Sequence, residues 1–133
     1  INIMQAKATA TTTFSTSSTT DVDITGLSVN INPPQTSVIL VVCSVKGIKN
    51  SGGTFFGTIQ KILRDSTVIK YSVARNGDDE PSNALIMTLD VNVAAGNHTY
   101  KLQGCVDIDG TSYWGMTTSP GEHGEIFVVV FKY

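Results

Sequence analysis

Two antiparallel sheets packed face to face, an all-β sandwich of the jelly-roll kind, are what this sequence predicts. Three observations lead there. Segment after segment alternates apolar and polar residues with a period of two, the pattern of a half-buried strand. Gly, Pro and Asn recur between those segments as turn punctuation. Charged residues make up only 15% of the 133 residues against 41% hydrophobic, and Thr, Ser, Asn and Gly supply the remaining polarity, a profile of stable extracellular-type β proteins rather than of cytosolic enzymes. The length suits one domain with a sizeable core.

Taken in order, "TATTTFSTSSTT" is Thr/Ser-rich and reads as an edge strand or the tail of a stalk. Residues 1–12 are accordingly assigned to the end of a preceding stalk or to an edge strand, and 13–133 to a single head domain. Beginning at Ile1 without Met, the chain reads as a segment of a longer polypeptide. "DITGLSVNINPP" sets Leu27, Val29 and Ile31 against Ser28, Asn30 and Asn32 and stops at two prolines. "SVILVVCSVKG" is a continuous apolar run, as in the central strand of a packed sandwich. "TFFGTIQKILRD" is ambiguous, since Ile59, Ile62 and Leu63 also fit helical spacing, but its β-branched and aromatic content favours a strand. "STVIKYSV" places Ile69, Tyr71 and Val73 opposite Lys70, Ser72 and Ala74. "ALIMTLDVNV" has the cleanest alternation, with Leu85, Met87, Leu89, Val91 and Val93 on one face. "HTYKLQGCVD" puts Tyr100, Leu102 and Val106 opposite Lys101 and Gln103, and a short "SYWG", a long loop and the C-terminal "GEIFVVVFKY" complete the series.

Several function classes are disfavoured. Net charge is −2 with nine basic residues spread singly, so no basic stripe exists to neutralise phosphates and nucleic-acid binding is not expected. No apolar run is long enough to span a bilayer as a helix, and no membrane insertion is expected. No nucleophile elbow, zinc-protease motif, P-loop or dinucleotide fingerprint occurs, so the chain reads as a non-enzyme without cofactor. His123, flanked by Glu122 and Glu125, reads as a solvated loop histidine. "DIDG" begins like a calcium loop, but Thr118 stands where the bidentate Glu belongs. The acidic turn holding Asp78, Asp79 and Glu80 reads as a solubilising loop, and no metal site is expected. Cys43 and Cys105 lie in separate apolar runs, lack CxxC spacing and read as buried free thiols.

The stretch "TDVDITGLSVNINPPQTSVILVVCSV" resembles the opening of a domain recurrent at the tips of bacteriophage tail fibres and tail needles, which share a D-I-x-G-L-S-V-x-I-x-P segment, a Ser/Thr turn and an apolar strand. Residues 23–33 match that segment and 38–45 continue it; "RDSTVI" and "HTYKLQ" resemble later strands of the same domain. The resemblance covers most of the chain from about Thr13. The bulky ending "EIFVVVFKY" departs from it, which leaves the placement among tail fibre, tail-needle knob and capsid fibre open. It implies a jelly-roll head similar to the tumour-necrosis-factor and C1q-like folds, assembled as a homotrimer. Such a head is exposed at the tip of a virion appendage and joined through its N-terminus to the rest of that appendage.

The last strand asks for a partner on its own account. Ile126, Val128 and Val130 take one face, while Phe127, Val129, Phe131 and Tyr133 take the other, so both are apolar. The sandwich core covers one. A three-fold subunit contact through Phe127, Val129, Phe131 and Tyr133 is the expected cover of the second, the alternative being residues 107–124 folded over it. Loops 47–54, 74–83 and 107–124 are candidates for contact with a host-surface glycan or protein, with Asp78, Asp79, Tyr113 and Trp114 as candidate receptor-contact residues. Tyr113 and Trp114 either stack on a sugar face or cap the core. The expected function is host-surface attachment, the alternative a capsid decoration trimer that stabilises the shell.

Overall fold

The structure, a computed structural model, describes residues 3–52, 57–75, 82–116 and 123–131. Its described elements are all strands: β1 (Met4–Ala10), β2 (Phe14–Thr16), β3 (Val22–Ile31), β4 (Ser37–Ser51), β5 (Gly57–Arg64), β6 (Thr67–Arg75), β7 (Ser82–Val93), β8 (His98–Val106), β9 (Thr111–Trp114) and β10 (Gly124–Phe131). Every pairing is antiparallel. One six-stranded sheet runs β1-β10-β4-β9-β2, with β7 also on β4; the other is a four-stranded sheet in the order β3-β8-β5-β6. The strand expected over "TIQKILR" is present as β5, and Met4–Ala10 form the edge strand of the larger sheet beside β10.

The core follows from the alternation. Ile39, Val41, Cys43 and Val45 of β4 and Ile126, Val128 and Val130 of β10 point between the sheets, meeting Leu27, Val29 and Ile31 of β3, Ile62 of β5, and Tyr100 and Leu102 of β8. These side chains are almost wholly withdrawn from water, each contributing about 1.5–3 kcal/mol relative to exposure. Gly104 on β8 has a packing reason: the Trp114 indole lies so close that a Cβ at 104 would sit 2.2 Å from its Cζ2.

Three sequence expectations need correction. In β6, Ile69 has no register partner between Lys70 and Val68, so this bulge places Ile69 and Ala74 toward the core and leaves Tyr71 and Val73 exposed. Residues 47–51, expected in a loop, belong to β4, where Ile48 pairs with Ser82 of β7 and Lys49, Asn50 and Ser51 pair with β9. In β7, Leu85, Met87, Leu89 and Val91 are exposed whereas Val93 is fully buried, so the five do not share one face. The reason is a β-bulge: Ile39 pairs with Asp90 and Ser37 with Val93, so Val91 and Asn92 together oppose Val38. Asn92 adopts φ 57°, the left-handed conformation that Asn tolerates better than most residues.

Candidate functional site

The outer face of the six-stranded sheet is an apolar plaque built row by row from strand register. Val129 of β10 sits between Gln5 of β1 and Leu40 of β4, and Leu40 in turn faces Leu89 of β7. The next row runs Lys7, Phe127, Val42, Met87, and on the other side Phe131 faces Val38. Phe127, Val129, Val38, Leu40 and Val42 are half-buried by one another. Leu85, Met87, Leu89, Val91 and Phe131 are 64%, 50%, 59%, 58% and 45% exposed. Polar residues frame the plaque: Gln5 and Lys7 along β1, and Ser44 and Glu125 at one end of the rows. Lys7 Nζ stands 3.6 Å from Glu125 Oε2, an exposed pair that contributes little to stability. A contiguous apolar surface of this kind marks an interaction site.

The expected interface residues Phe127, Val129 and Phe131 lie on this plaque, and Tyr133 lies outside the described residues. Residues 111–114 of the segment proposed to fold over them form β9, paired with β2 and β4, and Trp114 is turned into the core. Sequence reasoning missed the larger contribution, from β4 and β7. The signal was the stripe Leu85, Met87, Leu89; its ambiguity was which way the stripe faced.

Asp90 settles that orientation. It points inward from β7, and Arg64 Nη1 donates to both its carboxylate oxygens at 2.8 and 2.9 Å. The Tyr100 hydroxyl donates to Oδ2 at 2.7 Å. Arg64 and Tyr100 are register partners in the opposite sheet, so the clasp joins the two sheets at that point. Burial, and then the Asp90 carboxylate, push the Tyr100 hydroxyl well above the ordinary phenol range, so it stays a donor. With Asp90 held inside, strand alternation turns Leu89 and Met87 outward.

The receptor-contact candidates fare differently. Trp114 is 1% exposed and packs on Phe14 with ring centroids 5.9 Å apart, so it is a core residue and offers no face to a sugar. Tyr113, alternating with it on β9, is half-buried. Asp78 and Asp79 lie outside the described residues. The β8–β9 turn, residues 107–110, exposes Ile108. Among the described residues no group of three His, Cys, Asp or Glu side chains is arranged to hold a metal.

Cys43 faces the core from the larger sheet, whereas Cys105 alternates with Gln103 on the outer side of the smaller one and donates to Asp21 Oδ1 at 3.4 Å. Both are free. Burial pushes the Cys43 thiol up to about 12 and, together with Asp21, the Cys105 thiol up to about 11. Since the thiolate is the nucleophile, neither should alkylate in the folded domain at pH ~8, and both should do so after unfolding without reductant. An intact-mass shift of fewer than two adducts on the unfolded chain would contradict this.

Two exposed carboxylates contribute to acid sensitivity. The Gln103 amide, which donates to Asp23 at 2.6 Å, and then Lys101 hold Asp23 below the usual carboxylate range. His98 and then the Thr99 N–H, which donates at 2.9 Å, do the same for Asp65. A folded-state pKa below the unfolded one contributes stability that is complete above the unfolded value and lost as pH falls through the folded one. The melting temperature should therefore decline below pH ~4, and Asp23→Asn should flatten that decline. An identical acid slope in the variant would exclude Asp23 as a source.

No protein-family model matches the chain, and no curated protein matches it in sequence. Solved structures do match. The fold is similar to that of the tumour-necrosis-factor protein Eiger from S. frugiperda, with TM-score 0.67 at 13% identity over 98% of this chain and 93% of that one. A structure of infectious bursal disease virus, Gx strain, matches more loosely, with TM-score 0.45 at 13% identity over 98% of this chain and 37% of that one. The chain thus has a tumour-necrosis-factor-like jelly-roll fold.

Proposed function

We propose that this chain is the non-enzymatic head domain of a virion appendage, a tail-fibre or tail-needle tip, that acts as a homotrimer in host-surface attachment. The observation that carries the assembly is the plaque formed by Val38, Leu40 and Val42 with Met87, Leu89, Val129 and Phe131 on one sheet face. Leaving its large side chains wet forgoes roughly 1.5–3 kcal/mol each, and closed symmetry covers the same patch on every copy at once. The attachment role rests on the resemblance of residues 23–45 to phage tail-tip domains. The rigid sheets would present the 107–110 turn with Ile108, together with Tyr113, Asp78 and Asp79, to a surface glycan or protein.

Light scattering on the isolated domain at micromolar concentration should give the mass of three chains; a monomer mass with no larger species would remove the assembly. Attachment is read separately, by incubating the labelled trimer with bacterial cells and with a glycan array. Saturable binding to a cell surface or glycan supports it, and a stable trimer that binds neither overturns it.

A further inference from the structure

Between the sheets, at the end where β4 meets β9, lies a polar layer in an otherwise apolar core. Asn50, Thr58, Gln60 and Ser112 are all 0–1% exposed. Thr58 Oγ1 and Ser112 Oγ share a hydrogen bond of 2.9 Å across the sheets. Asn50 Nδ2 reaches Ser112 Oγ at 3.2 Å, the Gly57 carbonyl at 3.2 Å and the Asp109 carbonyl at 3.3 Å. Beside this network four buried atoms have no partner: Asn50 Oδ1, both amide atoms of Gln60, and Trp114 Nε1.

Strand register brings Gln60 and Trp114 to the same part of the core. Gln60 is the register partner of Gly104, and the indole lies directly over Gly104, its Cε2 2.9 Å from where a Cβ at that position would stand. Nε1 is bonded to Cε2, and Gln60 and Trp114 both turn inward at the Gly104 position. Ser112 and Thr58 precede Trp114 and Gln60 by two residues on their strands and share their inward faces. Native interiors rarely leave a donor and an acceptor of this kind unpaired, and a buried water typically makes about three hydrogen bonds to such groups.

We infer that Gln60 and Trp114 form a buried hydration site, in which an ordered water accepts from Trp114 Nε1 and bonds the Gln60 amide. The alternative is that Gln60 turns to accept directly from the indole. The site adjoins the Asn50 network that holds the Asp109 carbonyl. Gly57 O accepts from Asp107 N at 3.0 Å, so Asp107 and Asp109 of the 107–110 turn are both tied to the same layer. The polar layer thereby fixes a turn that the proposed function uses, while the water itself is independent of that proposal.

The chain's single tryptophan makes the site readable. An indole with no hydrogen-bond partner in an apolar core emits at the far-blue limit with resolved vibronic structure, and a bonded one emits at longer wavelength without it. The wild-type domain should show the second behaviour, and a crystal structure that resolves solvent should place a water within bonding distance of Trp114 Nε1 and Gln60. Gln60→Met, close in shape, should lower the melting temperature and move emission to the blue, because the water loses a partner. Vibronically structured wild-type emission, a direct Gln60–Trp114 bond with no water peak, or a Gln60→Met protein that melts above wild type would each overturn the inference. The two wild-type measurements decide the matter even if the variant does not fold.

Discussion

Leu89→Asp is expected to turn the proposed trimer into a folded monomer. Leu89 lies at the end of the row Gln5, Val129, Leu40, Leu89, and within a single subunit it is 59% exposed. A carboxylate there is harmless to the isolated fold, because it meets water. In a three-fold contact it is withdrawn from water against apolar neighbours, at an effective cost of several kcal/mol per ion. That cost is incurred on all subunits together. Light scattering should report one chain mass, while circular dichroism retains the β signal and the melting temperature loses its dependence on protein concentration. Phe131→Asp should act in the same direction. Asn92→Asp is the control, adding one charge at an exposed left-handed position that Asp also tolerates, with an effect within about 0.5 kcal/mol. A Leu89→Asp protein that remains a trimer would show that the plaque is not the subunit contact.

How much of this surface the sequence revealed depends on the strand. β10 was legible because both of its faces are apolar, so whichever face turned inward, the other demanded a cover. β7 was half legible. Its period of two is plain, yet period alone does not say which face is inside, and an apolar stripe ordinarily marks the core. Here Ile86, Thr88 and Asp90 face inward and the stripe faces outward. The bulge at Val91 and Asn92 then returns Val93 to the core, and no propensity rule places an Asn bulge in a clean alternation. In β6 the unpaired Ile69 had the same effect. Trp114 was read as either core or exposed because a four-residue strand carries too little period to choose; Gly104, which makes room for the indole, sits ten residues earlier on another strand. The layer of Asn50, Thr58, Gln60 and Ser112 was invisible for a related reason. Each residue comes from an unremarkable polar position, and only sheet pairing brings them together.

Asp90→Ala should be strongly damaging to the fold itself, by about 2–4 kcal/mol. Removing the carboxylate of a part-buried charge pair leaves Arg64, with a side chain 26% exposed, only partly compensated by water, and leaves the buried Tyr100 hydroxyl unpaired. Arg64 Nη1 would lose both carboxylate contacts, and the Tyr100 hydroxyl, on a residue with 0% exposure, would lose its Asp90 acceptor. The carboxylate also decides which face of β7 turns in. Without it, a one-residue slip that buries Leu89 and Met87 and exposes Ile86 becomes competitive, since slipping exchanges the two faces of a strand. The melting temperature should therefore fall, and amide exchange in β7 should quicken more than in β10, which keeps its pairing with β1 and β4. Asp23→Ala removes an exposed carboxylate with comparable nominal partners, Gln103 and Lys101, and should cost no more than about 1 kcal/mol. The double variant Arg64→Met with Asp90→Leu separates charge from register. If the clasp is chiefly a buried ion pair, an apolar pair of similar volume recovers most of the lost stability. If it is the register key, the double variant stays stable yet loses the outward stripe, and the trimer mass with it. A recovered trimer in the double variant would show that β7 keeps its register without the clasp.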